Sequence, residues 1–164
     1  MFRTRARRAQ PPGGTDVLSL LLQAHDEDGS TFSDTELLGQ AAVMFVAAHE
    51  TTANTLAWTL FLLATHPELH AALHDELDAA LHGEAPQLAQ LGSLPLLDSV
   101  LKESQRLLPA SCILFFRRAQ AAFKVGDLEL PAQTTLLLSP VLTHRIPALW
   151  PEPERFNPAR WQGL

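Results

Sequence analysis

From Leu37 to Thr65 the chain is mostly apolar, with no proline and a single glycine, Gly39. Ser33 and Glu36 precede it in the SDTE spacing of a capping box, which predicts one long helix over 34–65. About 29 apolar-rich residues at 1.5 Å each give it a length of roughly 43 Å. Upstream, TDVLSLLLQA (Thr15–Ala24) reads as a short amphipathic helix that ends in the loop HDEDGST. Downstream, Pro67 opens a second helix over 67–81, closed by Gly83. Leu96, Leu97, Val100, Leu101, Leu107 and Leu108 keep helical spacing and predict a third helix over 96–108, stopped by Pro109. The pattern then changes. CILFF, FKV, LEL and TTLLLS, within 112–139, are short strand candidates, with Gly126-Asp127 as a hairpin turn. The proline-rich tail, 140–161, predicts an extended, irregular meander, and no internal repeat is present.

Within the long helix, Val46–Asn54 (VAAHETTAN) interrupts the apolar run with consecutive polar side chains. Buried polar groups must be satisfied or put to use. A transmembrane span is the simplest alternative for such a segment. Glu50 near its centre opposes that reading, as do Asp34, Glu36, Glu68 and Asp75 at its flanks, which lack cationic bias. A helix buried inside a larger protein fits better, and no membrane span is expected within the chain.

Composition supports a folded domain: 164 residues, 46% hydrophobic and 18% charged. The net charge of −6 is uneven, because Arg3, Arg5, Arg7 and Arg8 place +4 in the first ten residues and leave −10 for the rest. An acidic body argues against nucleic acid as a partner. The basic start lacks a following apolar run, which argues against a secretory signal; it faintly resembles a mitochondrial presequence, against a solvated helix end or an arbitrary chain start. One cysteine, Cys112, excludes an internal disulfide and fits a reducing compartment, so the expected location is cytoplasmic.

Several patterns carry possible chemistry. HETTA fails as a zinc-protease HExxH because Ala53 stands where the second histidine must be. His70 and His74 have the i, i+4 spacing of a metal clip, but Asp75, Glu76 and Asp78 around them favour a solvated face, and no metal ligand set is assigned. Thr51 could return its hydroxyl to the carbonyl of Ala47 or Ala48, which leaves Glu50 unexplained. Alternatively, Ala47 and Ala48, one turn before Thr51, clear space for a flat ligand, and Glu50 with Thr51 forms a proton relay to bound oxygen. In KESQR, Glu103 and Arg106 sit i, i+3, close enough to pair. A helical wheel puts Arg106 near the polar pole, which favours an exposed pair unless another segment covers it. In FNPARW, Arg160 lies between a proline kink and Trp161.

Taken together, VAAHETTAN, KESQR about fifty residues later and HRIPALWPEPERFNPARW after another fifty resemble the cytochrome P-450 family of heme-thiolate monooxygenases. The resemblance runs from about Asp16 to Trp161 and includes LSLLLQAHDEDG and THPELHAAL. It implies a mainly α segment with a few short antiparallel strands, forming one partial domain over 1–164. It also implies that the long helix crosses the oxygen side of a heme, with Ala47 and Ala48 forming the oxygen groove and Glu50 and Thr51 delivering protons to heme-bound dioxygen. Ala48 stands where the family usually has glycine. Glu103, Arg106 and Arg160 match the family's buried Glu–Arg–Arg network, and Arg117 the position that pairs a heme propionate. Pro109–Phe116, with Cys112, Ile113 and Leu114, would line the substrate pocket.

The same resemblance implies insertion of one oxygen atom of dioxygen into a small organic substrate. Electrons would come from NAD(P)H through a ferredoxin or flavin reductase partner. The family's iron takes a cysteine thiolate from a Gly-rich FxxGxxxCxG loop after the meander. This chain reaches Leu164 without that loop, and Cys112 lies in the substrate-facing segment. The expectation is therefore a family segment that, isolated, is inactive and cannot form thiolate-ligated heme. The rivals are a non-catalytic remnant, binding heme loosely or docking to other chains, and a single-span membrane protein.

Overall fold

A computed structural model describes residues 14–162; the Arg-rich opening segment lies outside them. The chain divides into two compact units, one up to Glu50 and one from Thr51 onward.

In the first unit, helix α1 (Val17–Gln23) is capped by Asp16, whose carboxylate accepts the Ser19 N–H at 3.3 Å and the Ser19 hydroxyl at 2.8 Å. A loop follows in which Gly29 takes φ 81°, a left-handed conformation that costs glycine little. Helix α2 (Asp34–Ala64) then begins at the expected capping box. The Ser33 hydroxyl accepts the Glu36 N–H at 3.3 Å while Glu36 accepts the Ser33 N–H at 2.9 Å. The Ser33 hydroxyl also donates to Glu36 Oε2 at 2.7 Å, and this bond together with that from the Ser33 N–H holds the Glu36 carboxyl below its ordinary pKa. Leu37, fully buried, anchors the first turn.

The second unit holds the rest of α2 and everything after it. Helix α3 (Pro67–Leu81) starts with proline at its first position and ends where His82 and Gly83 both turn left-handed, at φ 51° and 80°. Helix α4 (Pro95–Leu107) again starts on proline. Leu62 and Leu63 of α2, Leu73 of α3, Val100 and Leu107 of α4 and Phe156 of the tail make the core. Glu76 of α3 joins α3 to α4 by a polar contact as well. Its two carboxylate oxygens accept the Leu96 and Leu97 N–H groups at 2.8 and 2.9 Å, donors that the first turn of a helix cannot satisfy internally.

Two small antiparallel pairs follow. β1 (Arg117–Arg118) pairs with β4 (Thr135–Leu136), and β2 (Phe123–Val125) pairs with β3 (Leu128–Leu130) across the expected Gly126-Asp127 turn. Gly126 supplies the positive φ, 57°, that a two-residue hairpin requires. The expected strand at CILFF is not formed. Among the described residues one backbone bond, from the Leu114 N–H to the Leu138 carbonyl at 2.9 Å, links this stretch to a neighbour, and ladder pairing starts at Arg117. The meander also departs from expectation, because it contains a short helix α5 (Pro140–Thr143) and a 3-10 turn (Pro158–Trp161). Each begins on a proline whose fixed φ already suits helical backbone.

Candidate functional site

The densest polar site is built on α4. Glu103 and Arg106 point inward at 0% and 1% exposure, so the wheel-based expectation of an exposed pair is overturned. The reason is long-range, because the meander folds over this face of the helix. Arg106 grips Glu103 with two parallel bonds, Nε to Oε2 at 2.8 Å and Nη2 to Oε1 at 2.9 Å. Its remaining donors reach meander carbonyls, those of His144 at 2.9 Å, Pro153 at 2.7 Å and Arg155 at 3.2 Å. Trp150 covers the guanidinium at 5.3 Å from ring centroid.

Arg160 completes the network. Its Nε donates to Glu103 Oε1 at 2.8 Å, and its Nη atoms reach the carbonyls of Pro151 and Glu152. The structure thus brings together Glu103, Arg106 and Arg160. It adds two donors that the sequence patterns did not single out: Trp161 Nε1 at 2.9 Å from Oε2 and the Asn157 N–H at 3.0 Å from Oε1. Burial pushes the Glu103 carboxyl upward, but the bonds from Arg106, Asn157, Arg160 and Trp161 outweigh it and leave the pKa lowered.

Two further contacts fasten the meander to the end of α4. The His144 ring nitrogen Nδ1 lies 3.0 Å from the Arg106 carbonyl, and Arg145 Nη2 donates to the Leu107 carbonyl at 3.0 Å. Neither was visible as a pattern, although both residues sit in the quoted HRIPALW stretch. Backbone acceptors leave no mark on a sequence.

An open groove of about 840 Å³ runs beside this network. Thr51, Thr52, Thr55 and Leu56 of α2 form one wall. Leu101, Lys102, Gln105 and Arg106 of α4 form another, with Pro109, Ala110 and Ser111 beyond them. Thr51 therefore lines the same groove as Arg106. In the first unit, Ala47 and Ala48 line an apolar groove of about 660 Å³ with Val17, Leu18 and Leu21 of α1. Glu50 is solvent-exposed on α2. Arg117 is exposed in β1, opposite Leu136. Cys112, Ile113 and Leu114 are exposed after α4, and the Ser139 hydroxyl donates to the Cys112 carbonyl at 2.9 Å. Cys112 does not line the groove of Thr51.

Known proteins resemble this chain in sequence and in fold. The family model described as cytochrome P-450 matches residues 1–163. Cyclooctat-9-en-7-ol 5-monooxygenase of Streptomyces melanosporofaciens is 42% identical over 99% of this chain and 35% of its own length. Pentalenene oxygenase of Streptomyces avermitilis is 38% identical over 89% of this chain and 32% of its own. Among solved structures, retinoic acid-bound cyanobacterial CYP120A1 superposes with a TM-score of 0.89 at 28% identity, covering 98% of this chain and 37% of that one. The chain thus spans about a third of the length of the curated relatives it matches. A buried carboxylate held by two guanidiniums where the sequence motifs meet, a mainly helical fold shared with solved relatives and a family model matching residues 1–163 lead to one conclusion: this chain belongs to the cytochrome P-450 family.

Proposed function

We propose that this chain supplies the oxygen-side helix and the locked scaffold of a monooxygenase that inserts one atom of dioxygen into a small organic substrate. The reading rests on one observation above the others. Thr51 lines one groove with Arg106, the member of the Glu103–Arg106–Arg160 network that reaches it, which sets a candidate proton donor beside a rigid frame. The relatives named as monooxygenase and oxygenase support the reaction class. Electrons would come from NAD(P)H through a ferredoxin or flavin reductase.

The family's cofactor is heme, and the donor chemistry present fits its periphery better than its axial bond. The Arg117 guanidinium is exposed and suits a propionate carboxylate bidentately. Bound heme would supply the redox-active iron that activates dioxygen. The chain's own groups do the rest. Glu50, in contact with water, takes up protons, and the Thr51 hydroxyl hands them on into the groove. The small side chains of Ala47 and Ala48 keep their own stretch of α2 low, as an oxygen groove would need. Glu103 fixes the meander on α4, so that the groove wall holds its position. Cys112 does not act as the iron's thiolate, since it stands outside the groove, in the segment proposed with Ile113 and Leu114 to meet substrate.

A ferrous carbon-monoxide difference spectrum tests the assignment of Cys112. Adding heme to this chain is expected to give no thiolate Soret band, with the spectrum unchanged in Cys112→Ser. A thiolate band that vanishes in Cys112→Ser would overturn it.

A further inference from the structure

The histidine pair on α3 takes no part in the site described above. His70 and His74 are both exposed, and their rings touch edge to face with centroids 4.6 Å apart. The same helix turns Leu73 into the core and packs Leu69 and Leu77 beside it, which leaves the two imidazoles on its solvent side. No hydrogen bond or ion pair engages either ring among the described residues, so their nitrogens are available.

We propose that His70 and His74 form a two-donor chelate for a divalent transition cation of the zinc, nickel or copper class. Side chains at i and i+4 of a helix project over one patch of surface, one turn apart. Two imidazole nitrogens that share a tetrahedral cation at about 2.0–2.1 Å lie roughly 3.3 Å apart. Rings with centroids 4.6 Å apart reach that separation by rotation within their side chains. Neutral imidazole is a donor of intermediate softness, which selects these metals over calcium and magnesium. Asp75 and Asp78, which on sequence alone favoured a plain solvated face, also draw cations toward the pair. Among the described residues no cluster of three or more metal donors is assembled, so water completes the coordination shell and the site is exchangeable.

Zinc(II) titration of the whole chain by calorimetry tests the assignment, with circular dichroism confirming unchanged helicity in each variant. His70→Ala and His74→Ala are each expected to weaken the strongest zinc binding at least tenfold. His82→Ala, at the end of the same helix, is expected to leave it unchanged. Lowering the pH to 5 is expected to weaken binding, because protons compete with the metal for its ligands. Equal affinity in the parent and both single variants would overturn the proposal, and so would a loss that follows His82 instead.

Discussion

Glu103 sits at the centre of the buried polar network between α4 and the meander. Three side chains and one backbone N–H donate to its two oxygens at 2.8–3.0 Å, inside a region closed to water. Removing it leaves two guanidiniums buried or half-buried without their counter-charge. Glu103→Ala is therefore expected to cost about 3–5 kcal/mol in urea denaturation. Trp161→Phe, which deletes one donor to a charged acceptor, should cost about 1.5–3 kcal/mol. The lowered carboxyl pKa sets the pH dependence. Its stabilising contribution is complete above the ordinary value of 4.5 and is lost as the pH falls through the lowered value in the folded state. Acid titrations of parent and Glu103→Gln should therefore differ: the parent loses stability through that range, and the variant lacks that part of the loss. Glu103, Arg106 and Arg160 could be picked out from KESQR and FNPARW, but their burial could not. The covering carbonyls of His144, Pro153 and Arg155 lie 38–49 positions away along the chain and belong to the backbone, which no residue type reports.

Among the elements, α4 matters most because it carries both Glu103 and Arg106, and α3 sets where it begins. Glu76 satisfies two N–H groups of the first turn of α4 and places a negative charge at the positive end of the helix. Glu76→Ala is expected to destabilise the chain by about 0.5–2 kcal/mol and to speed hydrogen exchange at the Leu96 and Leu97 amides. Glu76→Gln should recover part of the loss, since its amide oxygen can still accept one bond. A rate unchanged in both variants would show that the cap is not used. The helices were readable because their signals are local: Ser33 with Glu36, Pro67, Gly83, and the leucine spacing before Pro109. Glu76 was not, since a carboxylate amid Asp75 and Asp78 looks like any exposed acid until α4 is placed beside it. The stretch at CILFF misled for the opposite reason. Its apolar run has strand composition, but the partner that would pair with it offers a single backbone bond, at Leu138.

For the whole molecule, the decisive quantity is how much of α2 faces water. Val43 is 65% exposed and Phe45 70%, and Val46, Leu56, Leu60 and Phe61 each exceed half. Soluble monomers seldom leave so continuous an apolar surface open, since about 25 cal/mol per Å² favours covering it. No helix among the described residues is long and apolar enough to cross a membrane. The family's own architecture offers an explanation. The matched relatives extend about twice as far again as the third that aligns here, and a helix apolar around its circumference belongs in the interior of a larger fold. Studied alone, the chain should therefore self-associate. Light scattering is expected to show a radius that grows with protein concentration, together with strong binding of an apolar dye. Phe45→Glu combined with Phe61→Glu should shrink both signals without loss of helicity, because neither side chain belongs to the core built on Leu62, Leu63, Leu73, Val100, Leu107 and Phe156. A parent chain that stays monomeric and dye-silent at every concentration would mean that α2 finds its cover within these 164 residues.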